Sequence, residues 1–351
     1  MTDLPSSPRT PGDWLALHVF YAASPRPLLL QCVRPLVAEL AEEGLLAGYF
    51  FINYWVEGPH LRLRLRPATP EAAEQVRERA ETAVAAFLRR RPALYQVEDS
   101  FFAELYNTMF ELEFSSDERA ELVGPDGKMK LRENNTFSRE DYRPEYGKYG
   151  GPAGIELAEW HFQHSSDLVI EATRSMNLHL RTVVLGLATQ LMMTMTACFL
   201  PDEDDLLTFL DRYHAFWNRS FAGTNYTAQQ GYDRAYASMG DTLPARYRAI
   251  RAAVADRATE RLPAVLRGWA DHCLELRDRA AESARRGELV FRSWDDTRDL
   301  TVTDPAEALP MLLFPYAHMT NNRLSVTVRD EAFLSYILAR ALREPQPTAA
   351  T

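Results

Sequence analysis

Between His60 and Arg66 polar and apolar residues alternate without a break, His-Leu-Arg-Leu-Arg-Leu-Arg. Successive side chains of a strand point to opposite faces, so Leu61, Leu63 and Leu65 face one way and His60, Arg62, Arg64 and Arg66 the other. The run before it, Tyr49-Phe-Phe-Ile-Asn-Tyr-Trp55, is aromatic and β-branched and reads as another strand, and Glu57-Gly58-Pro59 between them is a turn signal. Leu15 to Tyr21 predicts a strand upstream. From Ser24, a cap ahead of Pro25, the spacing of Leu29, Cys32, Val33, Leu36, Val37 and Leu40 predicts a helix that Pro35 kinks and Gly44 ends. Thr69-Pro70 opens a second helix with Ala73, Val76, Ala80, Ala83, Val84 and Phe87 on one face, and Ala93 to Val97 reads as a fourth strand. Strand, helix, strand, strand, helix, strand is the order of a ferredoxin-like sheet with both helices on one face. The leucines then point at the helices and the arginines at the opposite face.

Downstream the pattern changes. Phe101 to Phe110 is aromatic-rich without a clear period, and Gly124-Pro-Asp-Gly127 marks a turn in a hairpin or loop excursion. Tyr142 to Pro152, with three glycines and two prolines, predicts irregular backbone of the kind that often carries function. After Gly154 the period is helical: Ile155 to Ser175, Asn177 to Leu200, Asp204 to Phe221 with Asp202 or Glu203 as cap, Thr242 to Val254, Pro263 to Arg286 and Asp330 to Arg343. The expected class is α+β, a sheet-bearing first half and a helical second half. The expected division is a disordered stretch 1–13, one domain over 14–343 and a frayed tail 344–351. Within that domain 14–98 is the ferredoxin-like unit, 99–152 a loop-rich connection and 153–343 the helical part.

Composition narrows the function classes. A net charge of −10 argues against a broad nucleic-acid surface, so any anion site is local. Cys32, Cys198 and Cys273 are far apart and form no CxxC pair, which fits a reducing cytoplasm without disulfides or structural zinc. No apolar signal core precedes Leu15. Thr182 to Leu200 carries no charge and is long enough to cross a bilayer, but it holds four threonines and a glutamine and runs into four acidic residues; a buried core helix is the reading adopted.

There is no phosphate-binding glycine loop, GxSxG elbow or HExxH. The arginine face has two readings, a sheet face kept soluble or a floor whose guanidiniums bind carboxylates or phosphates, and spacing does not separate them. His161 and His164, at i, i+3 on a helix with Glu156 and Glu159 ahead, have metal-ligand spacing but no obvious third ligand nearby, and histidines in ordinary hydrogen bonds or at the surface are the favoured reading. His318 follows the apolar run Met311 to Phe314 and precedes Asn321-Asn322-Arg323, which places it at the edge of the core.

Taken together, Tyr54 with Gly58-Pro59-His60-Leu61-Arg62-Leu63-Arg64, then Tyr142, Pro144-Glu145 and Tyr149-Gly150-Gly151, then Glu159, Phe162 and Ser165-Ser166-Asp167, then His318-Met319 and Asn322-Arg323-Leu324 resemble the C-terminal, glutamate-elimination domain of class I lantibiotic dehydratases. That domain also occurs free-standing in lanthipeptide and thiopeptide biosynthesis, including thiopeptide pyridine synthases. The resemblance implies catalytic roles for His318, Arg62 and Arg64, and substrate-binding roles for His60, Arg143, Lys148, Tyr149, Asn322 and Arg323. Lys148 stands where the family carries the arginine of RYGG, keeping the charge without the bidentate fork. The stretch from Ser115 to Asn135 is longer than usual.

The leading activity is elimination of glutamate from glutamylated Ser or Thr to give dehydroamino acids. The alternatives are a pyridine-forming aza-[4+2] closure of two dehydroalanines with leader loss, and a non-catalytic module that binds the leader peptide. The resemblance implies no metal or cofactor. Its partners are a leader-bearing precursor peptide and a separate glutamylating dehydratase, since the glutamylation domain is not expected here; a homodimer is compatible. Neither nucleic acid nor membrane is expected as a partner. Elimination further requires Arg62, Arg64 and His318 to converge.

Overall fold

The computed structural model describes residues 14–94, 122–124, 129–220, 229–237, 242–293 and 297–344. The N-terminal stretch 1–13, the aromatic run 101–110, the tip of the 124–127 turn, most of 115–135 and the tail from 345 lie outside these. The chain divides into two compact units, Met1–Pro144 with Ser166–Ser175, and Glu145–Ser165 with Met176–Thr351.

In the first unit, β1 (Leu15–Phe20), β2 (Leu46–Tyr54) and β3 (His60–Pro67) form an antiparallel sheet in the order β2-β3-β1-β4, with β4 at Thr136–Glu140. This is the expected ferredoxin-like order, but the fourth strand is not Ala93–Val97. Ala93 and Leu94 are outside any strand, and Tyr95 to Val97 lie beyond the described residues. The edge place beside β1 is taken by the later segment, whose Phe137 lies opposite Val19. Leu61, Leu63 and Leu65 are buried, as are Val76, Ala80, Val84 and Phe87 of α2 (Ala73–Arg90), which packs on β1, β3 and β4. A 3₁₀ turn, Pro70–Ala72, leads into α2, capped by Thr69 Oγ1 accepting from the Ala72 amide.

The first helix, α1, is built from Arg26–Leu28, a π-helical turn Leu29–Val33, and Arg34–Glu42. Ser24 is not its cap; Pro25 holds that position with no side-chain bond. Pro35 lacks the amide hydrogen that an α-helix would direct at residue 31, and the widened turn falls just before it, with the Arg34 amide reaching back to the Leu29 carbonyl. Gly44, at φ +72°, ends the helix: its amide bonds the Ala41 carbonyl and that of Leu45 the Leu40 carbonyl, a Schellman stop.

The second unit is helical. Its helices are α3 (Tyr146–Tyr149), α4 (Gly151–Ser175, whose Ser166–Ser175 end belongs to the first unit), α5 (Arg181–Phe199), α6 (Glu203–Ser220), α7 (Gln229–Ala237), α8 (Thr242–Ala255), α9 (Ala264–Arg285), α10 (Pro305–Arg323) and α11 (Val328–Arg343). A short hairpin, β5 (Val290–Arg292) and β6 (Asp299–Thr301), precedes α10. Helix α5 is the centre: α8, α9, α10 and α11 all pack on it. Among the described residues it is the helix long and apolar enough to cross a membrane, and 72% of that apolar window is buried inside the protein. Asp202 caps α6 through the Asp204 and Asp205 amides.

Three features depart from the sequence pattern. Tyr142–Pro152 is not wholly irregular, because Tyr146–Tyr149 makes one helical turn and α4 begins at Gly151, with Gly150 and Gly151 at φ +87° and +77° supplying the bend. Helix α10 runs through Pro310 and Pro315, the residues that disguise it in the sequence. Helix α7 and the β5–β6 hairpin have too few apolar positions for their periods to stand out.

Candidate functional site

The polar face of the sheet is built by register. Across β3, His60 lies between Phe20 and Tyr54, Arg62 between His18 and Ile52, and Arg64 between Ala16 and Phe50. Alternation therefore sets His18 of β1 among the arginines. Arg64 Nη2 is 3.1 Å from His18 Nε2, and Arg62 Nε is 3.2 Å from His60 Nε2. A guanidinium has donors only, so each imidazole accepts, and each is neutral with its proton on Nδ1. For His60 that proton goes to the Gly58 carbonyl, 2.8 Å away, presented by a turn with Glu57 and Gly58 at φ +62° and +110°. The two rings stack at 4.9 Å.

Burial, then the charges of Arg64 and Arg62, pushes His18 down to about 2; burial is also the main cause that takes His60 to about 3. Burial lowers Arg64 to about 10, which leaves it charged at neutral pH. Arg62 stacks 3.4 Å above the Tyr54 ring, and Arg66 lies over Trp14.

Arg64 is only 5% exposed. Its guanidinium lies 5.7 Å from the centre of the Tyr142 ring, which packs with Trp14 and Phe50 in a triad whose centroids are 5.0–5.9 Å apart. Among the described residues its Nε and Nη1 have no hydrogen-bond partner, and neither has the buried Trp14 Nε1. Buried polar groups are nearly always paired, so unsatisfied donors on this face make it a candidate site.

The second unit holds a different constellation. His318 on α10 donates Nδ1–H to Glu331 Oε1 of α11 at 2.8 Å, leaving Nε2 to exchange protons. Glu331 is wholly buried; its other oxygen accepts from Tyr213 and, at 3.3 Å, from Asn321. Burial and the Glu331 charge raise the Tyr213 pKa well above its ordinary value. Trp217 lies against the His318 ring at 4.9 Å. A histidine oriented by a buried carboxylate has the arrangement of a general acid or base, which makes His318 a candidate for proton transfer.

The remaining expected residues are dispersed. Arg143 is exposed in the first unit. Lys148 is exposed and pairs with Glu145 at 3.4 Å. Tyr149 is buried between Phe162 and Tyr316. Asn322 is half-buried. Arg323 is buried, donates to the Met319 carbonyl at 2.9 Å and stacks over Phe162. His161 and His164 meet a third histidine, His272: His161 Nδ1 is 3.0 Å from His272 Nε2, and the His164 and His272 rings stack at 3.8 Å. Among the described residues no cluster has metal-binding geometry.

Sequence reasoning missed His18, Trp14 and Glu331. The first two were legible as inward-alternating partners of Ala16 once β1 and β3 are paired; Glu331 carried no signal.

The family model described as lantibiotic biosynthesis dehydratase, C-terminal, matches residues 14–342. Among solved structures, the pyridine synthase TbtD from thiomuracin biosynthesis is 24% identical, with a TM-score of 0.70 over 94% of this chain and 97% of that one. TsrL is 17% identical, with a TM-score of 0.63 over 93% of each chain. At these identities the likenesses speak to fold. No curated protein matches the chain.

Proposed function

The chain belongs to the lantibiotic biosynthesis dehydratase C-terminal family, and on that premise we propose that it matures a ribosomally made, leader-bearing peptide by closing a pyridine ring. In this reading two dehydroalanines react in a formal aza-[4+2] closure, followed by loss of water and of the leader. The observation that carries it is the end-to-end likeness to a pyridine synthase, which spans 97% of that enzyme. The residues suit the task. Ring closure asks for alignment of two alkenes and polarisation of an amide oxygen, and the free donors of Arg64 supply the polarisation. His318, fixed by Glu331, moves the proton that accompanies loss of water. Its substrate is a dehydrated precursor, so a separate dehydratase acts before it.

Elimination of glutamate is the second reading. The His318–Glu331 pair favours it, because removing an α-proton needs an oriented base. Against it stands Lys148, exposed and paired with Glu145 where a bidentate arginine is expected.

The test is mass spectrometry of the precursor peptide after incubation, in dehydrated and in glutamylated form. Loss of water together with the leader from the dehydrated form is expected. Loss of glutamate from the glutamylated form instead would replace this reading with the second. Tight binding with no mass change would mark a leader-binding module.

A further inference from the structure

The pairing of Arg64 is unusual for a buried arginine. A guanidinium that is 5% exposed ordinarily meets a carboxylate, which cancels its charge. Here its one hydrogen-bond partner among the described residues is an imidazole nitrogen, His18 Nε2 at 3.1 Å. The carboxylate that bears on its charge, Glu140, is committed to Arg132 at 2.7 Å and to the Ser138 hydroxyl at 2.7 Å. The other groups that bear on His18 and Arg64 are His60, the Tyr142 phenol and the guanidiniums of Arg62 and Arg132. Among the described residues, Arg64 Nε and Arg64 Nη1 lack partners, and so does Trp14 Nε1, whose ring packs on the Tyr142 that covers Arg64; all three are donors.

We propose that His18 is a positioning residue, a neutral acceptor that orients Arg64 without cancelling its charge, so that the free N–H groups of Arg64 receive a carboxylate or developing oxyanion of the substrate peptide. This rests on the reading of the face as a peptide-modifying site. A carboxylate at position 18 would hold the guanidinium just as well but fill its charge. An imidazole holds it and leaves the charge for the ligand. Tyr142, which covers the guanidinium from a stretch without regular structure, is the side chain that must yield to admit one.

The experiment compares His18→Glu with His18→Gln in the full chain. Acetate is titrated against arginine labelled with ¹⁵N, and the Arg64 Nε signal is identified by its loss in Arg64→Lys. In the wild type and in H18Q the Arg64 signal moves saturably; in H18E it does not. Conversion of the precursor peptide falls at least about 50-fold in H18E and stays within about fivefold in H18Q. Equal responses of the two variants, or a wild-type Arg64 signal indifferent to acetate, would overturn the proposal. A structural role alone predicts the equal response, since both side chains accept from Arg64. Should H18E not fold, His18→Leu serves: it loses the acetate response and H18Q restores it, and equal behaviour of L and Q overturns the idea. A wild type that binds acetate at Arg64 but converts no peptide would sink the functional reading while leaving this inference standing.

Discussion

Arg64 sits where its own desolvation opposes folding. Burying a guanidinium with two N–H groups unpaired costs free energy that an apolar side chain of similar length would not incur. Arg64→Met is therefore expected to raise stability in urea unfolding by about 1–2 kcal/mol. The same substitution should remove peptide conversion, and a variant that loses stability along with activity would mean that Arg64 is structural. Glu331 behaves in the opposite way. Its two oxygens accept from His318, Tyr213 and Asn321 with no exposure to water. Glu331→Gln turns one acceptor into a donor facing another donor, and should destabilise by about 2 kcal/mol. It also leaves His318 poorly oriented, so conversion should fall in parallel with His318→Ala; full activity in E331Q would remove the pair from the mechanism.

Two glycines separate the packing of helices from their propensity. Gly154, in the first turn of α4, would place a Cβ 1.7 Å from the Tyr149 carbonyl oxygen. Main chain cannot yield cheaply there, so Gly154→Ala is expected to destabilise by on the order of 3 kcal/mol. Gly268 lies exposed within α9 with nothing near its absent Cβ. Gly268→Ala should stabilise by about 0.5–1 kcal/mol, because alanine loses less backbone freedom in a helix. Thermal melts of the two variants must move in opposite directions; a shared direction would contradict the backbone geometry around α4.

In both units, a set of buried histidines is held neutral by burial. His18 and His60 in the first unit, and His161 and His272 in the second, have pKa values far below the ordinary 6.5. In the unfolded chain each binds a proton near pH 6.5; in the folded chain each does not until far lower. Below pH 6.5 the unfolded state therefore binds more protons, and stability falls as pH drops. Each such histidine should cost on the order of 2 kcal/mol between pH 6.5 and 5, a range above most carboxylate titrations. Urea unfolding at pH 7 and pH 5 measures this. Replacing His161 and His272 by Phe should flatten the dependence in the second unit, and an unchanged midpoint in the wild type would show that these rings titrate normally.

The alternation from His60 to Arg66 was enough to place three leucines against helices and the arginines opposite, because side-chain direction in a strand is set by parity alone. The helices after Gly154 were legible for the same reason, a period of 3.6 that tertiary contacts reinforce. Other features were not written locally. The edge of the sheet went to Thr136–Glu140 rather than Ala93–Val97, since strand pairing is a competition between distant segments. Helix α10 was hidden by Pro310 and Pro315, which read as breakers until packing against α5 and α9 holds them. His18 looked like one polar residue in an apolar strand; only the β1–β3 register puts it on Arg64. Glu331 looked like a helix-surface acid near a cap, and only the packing of α11 on α6 with His318 beside it makes it a buried carboxylate. Sequence determines which way a side chain points, because that depends on neighbours one or two bonds away. What it meets there depends on which distant segment arrives, and burial, pKa and chemistry follow from that meeting.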